Sequence, residues 1–413
     1  MTFLRLVALL VAQLLLPTVA LPRPVKALQV QAFIDAVEGA QPSGQQGSLA
    51  ALDLDGLMQR LGVPGVSIAV VWDFDLHWAK GYGITDALHG RRVDRQTLFQ
   101  AASISKPVTA LAVLKLVEDG RFGLDDDINT LLTSWRLPLN GLTQERAVTP
   151  RMLLSHTSGL GDGFGFPGYL PTTQLPTAVQ ILAGDQPSTL GPVRIEVAPM
   201  TRAAYSGGGI LLMQVAMTDV LGEDFGSFMQ QEILQPLGMR HSVFEQPLSL
   251  MRQSNAALAH DHLGQRMRAP WHVYPELAAA GLWSTPTDLA HLIISLQRGV
   301  RGKQPALLAP AQIRQLFTPV GIGGFGLGFN VSRQGEGWYF SHEGSNWGYR
   351  SYLMAHQVNG YGLVVMANGE RGRELIDELC RRIQRVYGWD TQQTKGQFRF
   401  SERSTRGCYP QMG

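Results

Sequence analysis

The chain has 413 residues, with 35 lysines and arginines against 33 acids and 45% apolar residues. That is long enough and apolar enough for a large globular core in one or two lobes. A net charge of +2 is too small to mark a nucleic-acid partner.

At the N-terminus Arg5 precedes an apolar run over 6–16, Pro17 breaks it, and Thr18-Val19-Ala20 offers small residues for cleavage. This reads as a secretory signal peptide over 1–20, cleaved near Ala20, and gives a periplasmic or secreted protein as the expectation. The run is short for a membrane span, so no stable span is expected after cleavage. In an oxidising compartment Cys380 and Cys408 could pair or remain two thiols.

Residues 41–47 form a turn-rich stretch, and strands follow at 66–72 and 77–82 around the turn Asp73-Phe74-Asp75. Ser103-Ile104-Ser105-Lys106 then stands at the mouth of an apolar helix, 107–118, that ends at Asp119-Gly120. The pattern onward to 261 is mostly helical with loops such as 161–176, and Tyr205 lies in a glycine-rich turn before a helix over 210–221. Ser284-Thr285-Pro286-Thr287-Asp288 reads as a capped helix start. Strands return at 325–331, 338–342, 349–357 and 362–367, with Asn359-Gly360 as the turn between the last two, and a helix over 374–387 closes the pattern. Strands at both ends give an α/β domain in two pieces, 21–95 and 270–390, interrupted by a helical domain over 96–269 and followed by a tail over 391–413. A cleft between the domains is the expected place for a site.

The tetrad carries the chemistry. Ser103 and Lys106 are one helical turn apart on one face. Lysine is otherwise confined to Lys26, Lys80, Lys115, Lys303 and Lys395. A serine hydroxyl needs a neighbouring base, and an uncharged amine can serve. A helix start adds positive potential and free N–H groups for a developing oxyanion. Tyr205 can shuttle a proton if a cation lies close. In His342-Glu343-Gly344-Ser345, at the end of a strand, the glycine would let a substrate approach the backbone.

Together these three stretches resemble the serine β-lactamase and penicillin-binding-protein superfamily, in its branch of class C β-lactamases, D-Ala-D-Ala carboxypeptidases and related esterases. LLSHTSGL over 153–160, GLWSTPTDL over 281–289, GLGF over 326–329 and HEGSNWGY over 342–349 support the resemblance across nearly the whole mature chain. It implies an antiparallel β-sheet flanked by helices with an inserted mostly helical domain, and neither metal nor organic cofactor. By the same resemblance Ser103 is the nucleophile, Lys106 its base and Tyr205 the proton relay. The backbone N–H groups of Ser103 and Ser345 form the oxyanion hole, and His342, Gly344 and Gly207 meet the substrate.

Two positions depart from that pattern. Gly207 stands where the family carries an asparagine that meets an amide arm, and His342 stands where β-lactamases usually carry lysine. With an ordinary histidine pKa, His342 would become a carboxylate clamp only below about pH 6.5. The expectation is an exported serine hydrolase with an acyl-enzyme mechanism on ester, amide or peptide bonds of a small molecule or peptide. A β-lactamase, a D-Ala-D-Ala carboxypeptidase and a non-catalytic sensor module are the alternatives.

Other signals carry less. The G-x-G-x-x-G runs at 163–168 and 321–326 read as loops, the first with aromatics at the cleft rim. His260-Asp261-His262 reads as a turn and His156 as structural, while the absence of a G-x-S-x-G elbow argues against an α/β-hydrolase.

Overall fold

A computed structural model describes residues 23–389 except 43–44, 162–164, 304–305 and 336. The segment expected to be a signal peptide, the tail and Cys408 lie outside the described residues, so the disulfide question does too; Cys380 is buried in the last helix.

The first strand pair forms as its sequence dictates. Strand β1 (Gly65–Trp72) turns through Asp73 and Phe74, both at positive φ (52° and 63°), into β2 (Asp75–Gly83). A two-residue turn of that hand matches the twist of the strands it joins. Two short strands follow, β3 (Phe99–Gln100) and β4 (Trp283–Ser284), which pair with each other. The remaining four, β5 (Asn330–Gln334), β6 (Gly337–Asn346), β7 (Tyr349–His356) and β8 (Gly362–Ala367), come late in the chain.

They join the first pair in one antiparallel sheet of order β2-β1-β8-β7-β6-β5. Both faces of its centre are covered. Val66, Ile68 and Val70 of β1 pack with Leu363 and Val365 of β8 in one core, beside the helices Leu54–Leu61 and Gly372–Val386. Ala69, Val71, Val364 and Met366 face the other core, which holds the helices Ser105–Glu118, Gly207–Leu221 and Pro286–Val300. Burial on both faces explains why these strands read as unbroken apolar runs. The first two of the latter helices are buried on nearly every side, so their sequences show little amphipathic pattern.

Two expectations need correction. The strand expected from 325 begins at Asn330, because Gly328 sits at φ 74° and donates its N–H to Leu154 O at 2.9 Å, turning the chain against the helix Ser105–Glu118. The strand expected to stop at 342 runs on to Asn346, paired with β7 throughout. The Thr285 cap is as read: its side chain accepts from Asp288 N at 3.1 Å.

Among the described residues no helix is long and apolar enough to cross a membrane.

Candidate active site

Ser103 is placed by a short strained turn. From β3 the chain passes Ala101, whose N–H donates to Leu282 O at 2.8 Å, and Ala102, a non-glycine residue at φ 50°. Ser103 lies in the single 3-10 turn Ala102–Ile104 that feeds the helix Ser105–Glu118. Left-handed backbone at such a residue costs on the order of 1 kcal/mol and persists only where its surroundings hold it. Ser105 supplies that hold. Its buried hydroxyl donates to Ala102 O at 2.6 Å and accepts Leu282 N–H at 3.0 Å.

Lys106 points back at Ser103. Its Nζ is 2.9 Å from Ser103 Oγ and 2.8 Å from Ala279 O, and the residue is 1% exposed. The accepting carbonyl belongs to the turn Leu277–Ala280, whose other carbonyls take Thr109 Oγ1 (at Ala278) and Asn346 Nδ2 (at Ala280). Lys106 Nζ also lies 4.9 Å from the centroid of the Tyr205 ring.

Tyr205 precedes the helix Gly207–Leu221, which starts three residues earlier than its apolar pattern does because Ser206 caps it, accepting Gly209 N–H at 2.8 Å. Gly207 is therefore the first residue of the helix, and a Cβ there would come within 2.8 Å of the Phe166 ring. An aromatic ring fills the space beside Gly207. Phe166 is held by the chain around it, since Tyr169 pairs with Val273 and Pro167 O meets His272 Nδ1 at 2.8 Å. Phe325, from the glycine-rich loop at 321–326, closes the other side, 6.2 Å from the Tyr205 ring.

His342 arrives on β6 from the opposite wall, its ring 6.4 Å from that of Tyr205. Nδ1 contacts Glu343 O at 2.7 Å, and the side chain is buried. Burial above all pushes its pKa down to about 3. A pKa held down in this way leaves the ring uncharged at neutral pH, in contrast to the cationic clamp below about pH 6.5 that an ordinary histidine would give. With Nδ1 facing a carbonyl, the hydrogen sits on Nδ1 and Nε2 is an acceptor.

Gly344 has a reason other than substrate approach. A Cβ on it would fall 2.2 Å from Ala101 O and 2.1 Å from Ser351 Oγ, so the protein's own backbone occupies that space. The glycine presses β6 onto the serine turn, which brings Ser345 alongside. The strand partner β5 ends opposite Ser341, and Ser345 is exposed in the stretch beyond it.

The structure thus gathers Ser103, Lys106, Tyr205 and His342 around one centre, with Gly344 and Ser345 on the strand beside it and Gly207 behind Phe166. Phe166 is one of the aromatics expected at the cleft rim, whereas sequence reasoning did not find Ser105, Phe325, the Ala279 carbonyl, or the pair Gln100 and Asn346, joined at 2.8 Å. None has a local signature; each acts through a contact distant in sequence. His260 is buried, with Nε2 accepting Ala87 N–H at 3.0 Å and Nδ1 against Asn368 O at 2.9 Å.

A hydroxyl, an amine, a phenol and an imidazole gathered in one place are the groups that serine hydrolysis uses, set here on an antiparallel α/β fold. Residues 52–384 match the Beta-lactamase family, and the chain belongs to it. The family is in general one of serine hydrolases. Among similar proteins is Protein flp of Staphylococcus aureus (strain N315), 25% identical over 345 residues, which are 79% of this chain and 64% of that protein. The chain thus spans less than two thirds of that relative's length. Penicillin-binding protein 4 of Amycolatopsis lactamdurans is 24% identical over 80% of this chain and 87% of its own. An octameric penicillin-binding protein homologue from Pyrococcus abyssi shares the fold, with a TM-score of 0.66 at 22% identity over 89% of this chain and 78% of that one.

Proposed function

We propose that this chain is an exported serine hydrolase that forms an acyl-enzyme on uncharged carboxylic esters or amides. The observation that carries the reading is the 2.9 Å contact of Lys106 Nζ, on a buried residue, with Ser103 Oγ. The Lys106 amine takes the hydroxyl proton as Ser103 Oγ attacks the substrate carbonyl. The N–H groups of Ser103 and Ser345 hold the resulting oxyanion, each donor of this kind supplying about 3 kcal/mol. Tyr205 passes the proton to the leaving group, which departs as the acyl-enzyme forms. Water then attacks the ester of Ser103 by the same path in reverse.

Two features support an uncharged substrate. His342 is neutral, so it offers an acceptor in place of a cation, and Phe166 lines the wall at Gly207 with apolar surface. Labelling separates this reading from its rivals. A fluorophosphonate is expected to label the wild type and not Ser103→Ala, and a fluorescent penicillin to label far more slowly. Fast penicillin labelling would favour a β-lactamase or carboxypeptidase, and labelling of Ser103→Ala equal to wild type would remove the nucleophile assignment.

The pH dependence follows from His342. The ratio of kcat/KM for a carboxylate-bearing ester to that for its neutral analogue is expected to stay flat as pH falls from about 8 to about 5, since the ring gains no charge there. A ratio that climbs through about pH 6.5 would mean that His342 titrates normally. Export rests on the residues around Arg5 and the apolar run that follows. N-terminal sequencing of the protein recovered outside the cytoplasm is expected to start near Leu21; an intact Met1 would count against cleavage.

A further inference from the structure

His156 is buried at the centre of the site and has no part in the chemistry just described. It is 1% exposed and sits at φ 60°, a strained conformation for a residue with a side chain. Three contacts tie it to Tyr205 and its two neighbours. The His156 carbonyl oxygen accepts Ala204 N–H at 2.8 Å, and its Nδ1 accepts Ser206 N–H at 3.2 Å. Its ring lies 4.3 Å from the Tyr205 ring, tilted by 34°. The backbone N–H groups of the residues on either side of Tyr205 are therefore pinned to one residue, and the phenol between them is faced by that residue's ring.

The left-handed backbone makes this possible. It lets the carbonyl and the side chain of a single residue reach Ala204 and Ser206 at once. Phe325 backs the imidazole edge-on at 4.9 Å, which fixes its plane. Because Nδ1 accepts an N–H, the hydrogen of the neutral ring is on Nε2, and Nε2 is buried without a hydrogen-bond partner. Burial, with Lys106 and His342 nearby, holds the ring's pKa well below the usual histidine value. A histidine kept only to fill a core would call for neither the strained backbone nor the two bonds that bracket one tyrosine.

We propose that His156 is a positioning residue that holds the Tyr205 phenol in line between Lys106 and the leaving group, acting as a neutral imidazole with its hydrogen on Nε2. The inference rests on Tyr205 being the proton relay of a Ser103 hydrolase. It also separates two histidines of opposite tautomer in one site, His156 with an acceptor at Nδ1 and His342 with an acceptor at Nε2.

A double-mutant cycle on a p-nitrophenyl ester tests it. His156→Ala is expected to lower kcat about 10²-fold with KM unchanged, as a small misplacement of a reacting group does. Tyr205→Phe should lose at least as much, and the double variant no more than Tyr205→Phe alone. His156→Asn keeps an acceptor oxygen near the Nδ1 position and tolerates left-handed backbone, so it should recover most of the activity. Multiplicative losses in the double variant, or an Asn variant as slow as Ala, would overturn the proposal.

Ring ¹⁵N NMR of the wild type gives a readout independent of turnover and of whether the Ala variant folds. His156 is expected to be protonated at Nε2 alone between about pH 5 and about 8, and protonation at Nδ1 in that range would overturn the assignment. Failure of the fluorophosphonate to label Ser103 sinks the hydrolase reading and this proposal with it. Normal labelling with a multiplicative cycle sinks this proposal alone.

Discussion

Replacing Lys106 by methionine is expected to slow acylation of Ser103 about 10²- to 10⁴-fold, the range for loss of a general base, while the protein stays folded. Methionine has nearly the reach of lysine, so it fits the buried space that the 1%-exposed Lys106 fills between the Ser103 and Tyr205 side chains. What the fold loses is the bond to Ala279 O, worth about 1 kcal/mol. The turn that carries this carbonyl keeps its other ties, from Thr109 to Ala278 and from Asn346 to Ala280. The initial burst of p-nitrophenolate and the thermal midpoint measure the two effects separately. A burst as fast as that of the wild type would take Lys106 out of the proton path.

Glu276 underlies the second large effect, on stability. It is fully buried immediately before the turn Leu277–Ala280, and neither carboxylate oxygen has a hydrogen-bond partner. Burial pushes its pKa from 4.5 up to about 8. The direction of the linkage follows. Below about pH 4.5 the acid is protonated in both folded and unfolded chains, and stability is at its full value. Between there and about pH 8 the unfolded chain releases a proton that the fold retains, so each pH unit costs about 1.4 kcal/mol. Above that the loss is complete.

Glu276→Gln removes the ionisation, leaving an amide whose unmet hydrogen bonds cost about 1–3 kcal/mol at every pH. The variant should therefore be less stable than wild type near pH 5 and more stable near pH 8, with the urea midpoints of the two crossing between. Midpoints that fall in parallel across that range would show that another group carries the pH dependence.

The parts of this molecule that were legible in the sequence are those specified locally. The β1–β2 hairpin, the Thr285 cap and the strand Gly362–Ala367 announce themselves through apolar runs bounded by turn and capping residues. Ser103 and Lys106 are legible because their chemistry fits within one helical turn, and Tyr205 and His342 because they sit in short motifs in a fixed order. The overrun of β6 is hidden because its inward positions there are His342, Gly344 and Asn346, polar or small residues that meet the site instead of an apolar core. Phe325, Leu327 and Phe329 alternate like a strand, yet the close fit of Gly328 against Pro107 and Ala110 decides otherwise. His156 was read as structural because its partners lie about fifty residues away.

The carbonyl of Ala101 gathers more than one load. It accepts Ile104 N–H at 3.1 Å, which starts the serine turn, and Ser351 Oγ at 2.8 Å from β7, and Gly344 of β6 abuts it. One oxygen atom thus serves as a common datum for the turn that carries Ser103 and for the strand that carries Ser345. Because both hang on that oxygen, a shift of the serine turn carries the strand edge with it, which limits how far the Ser103 hydroxyl and Ser345 can drift apart.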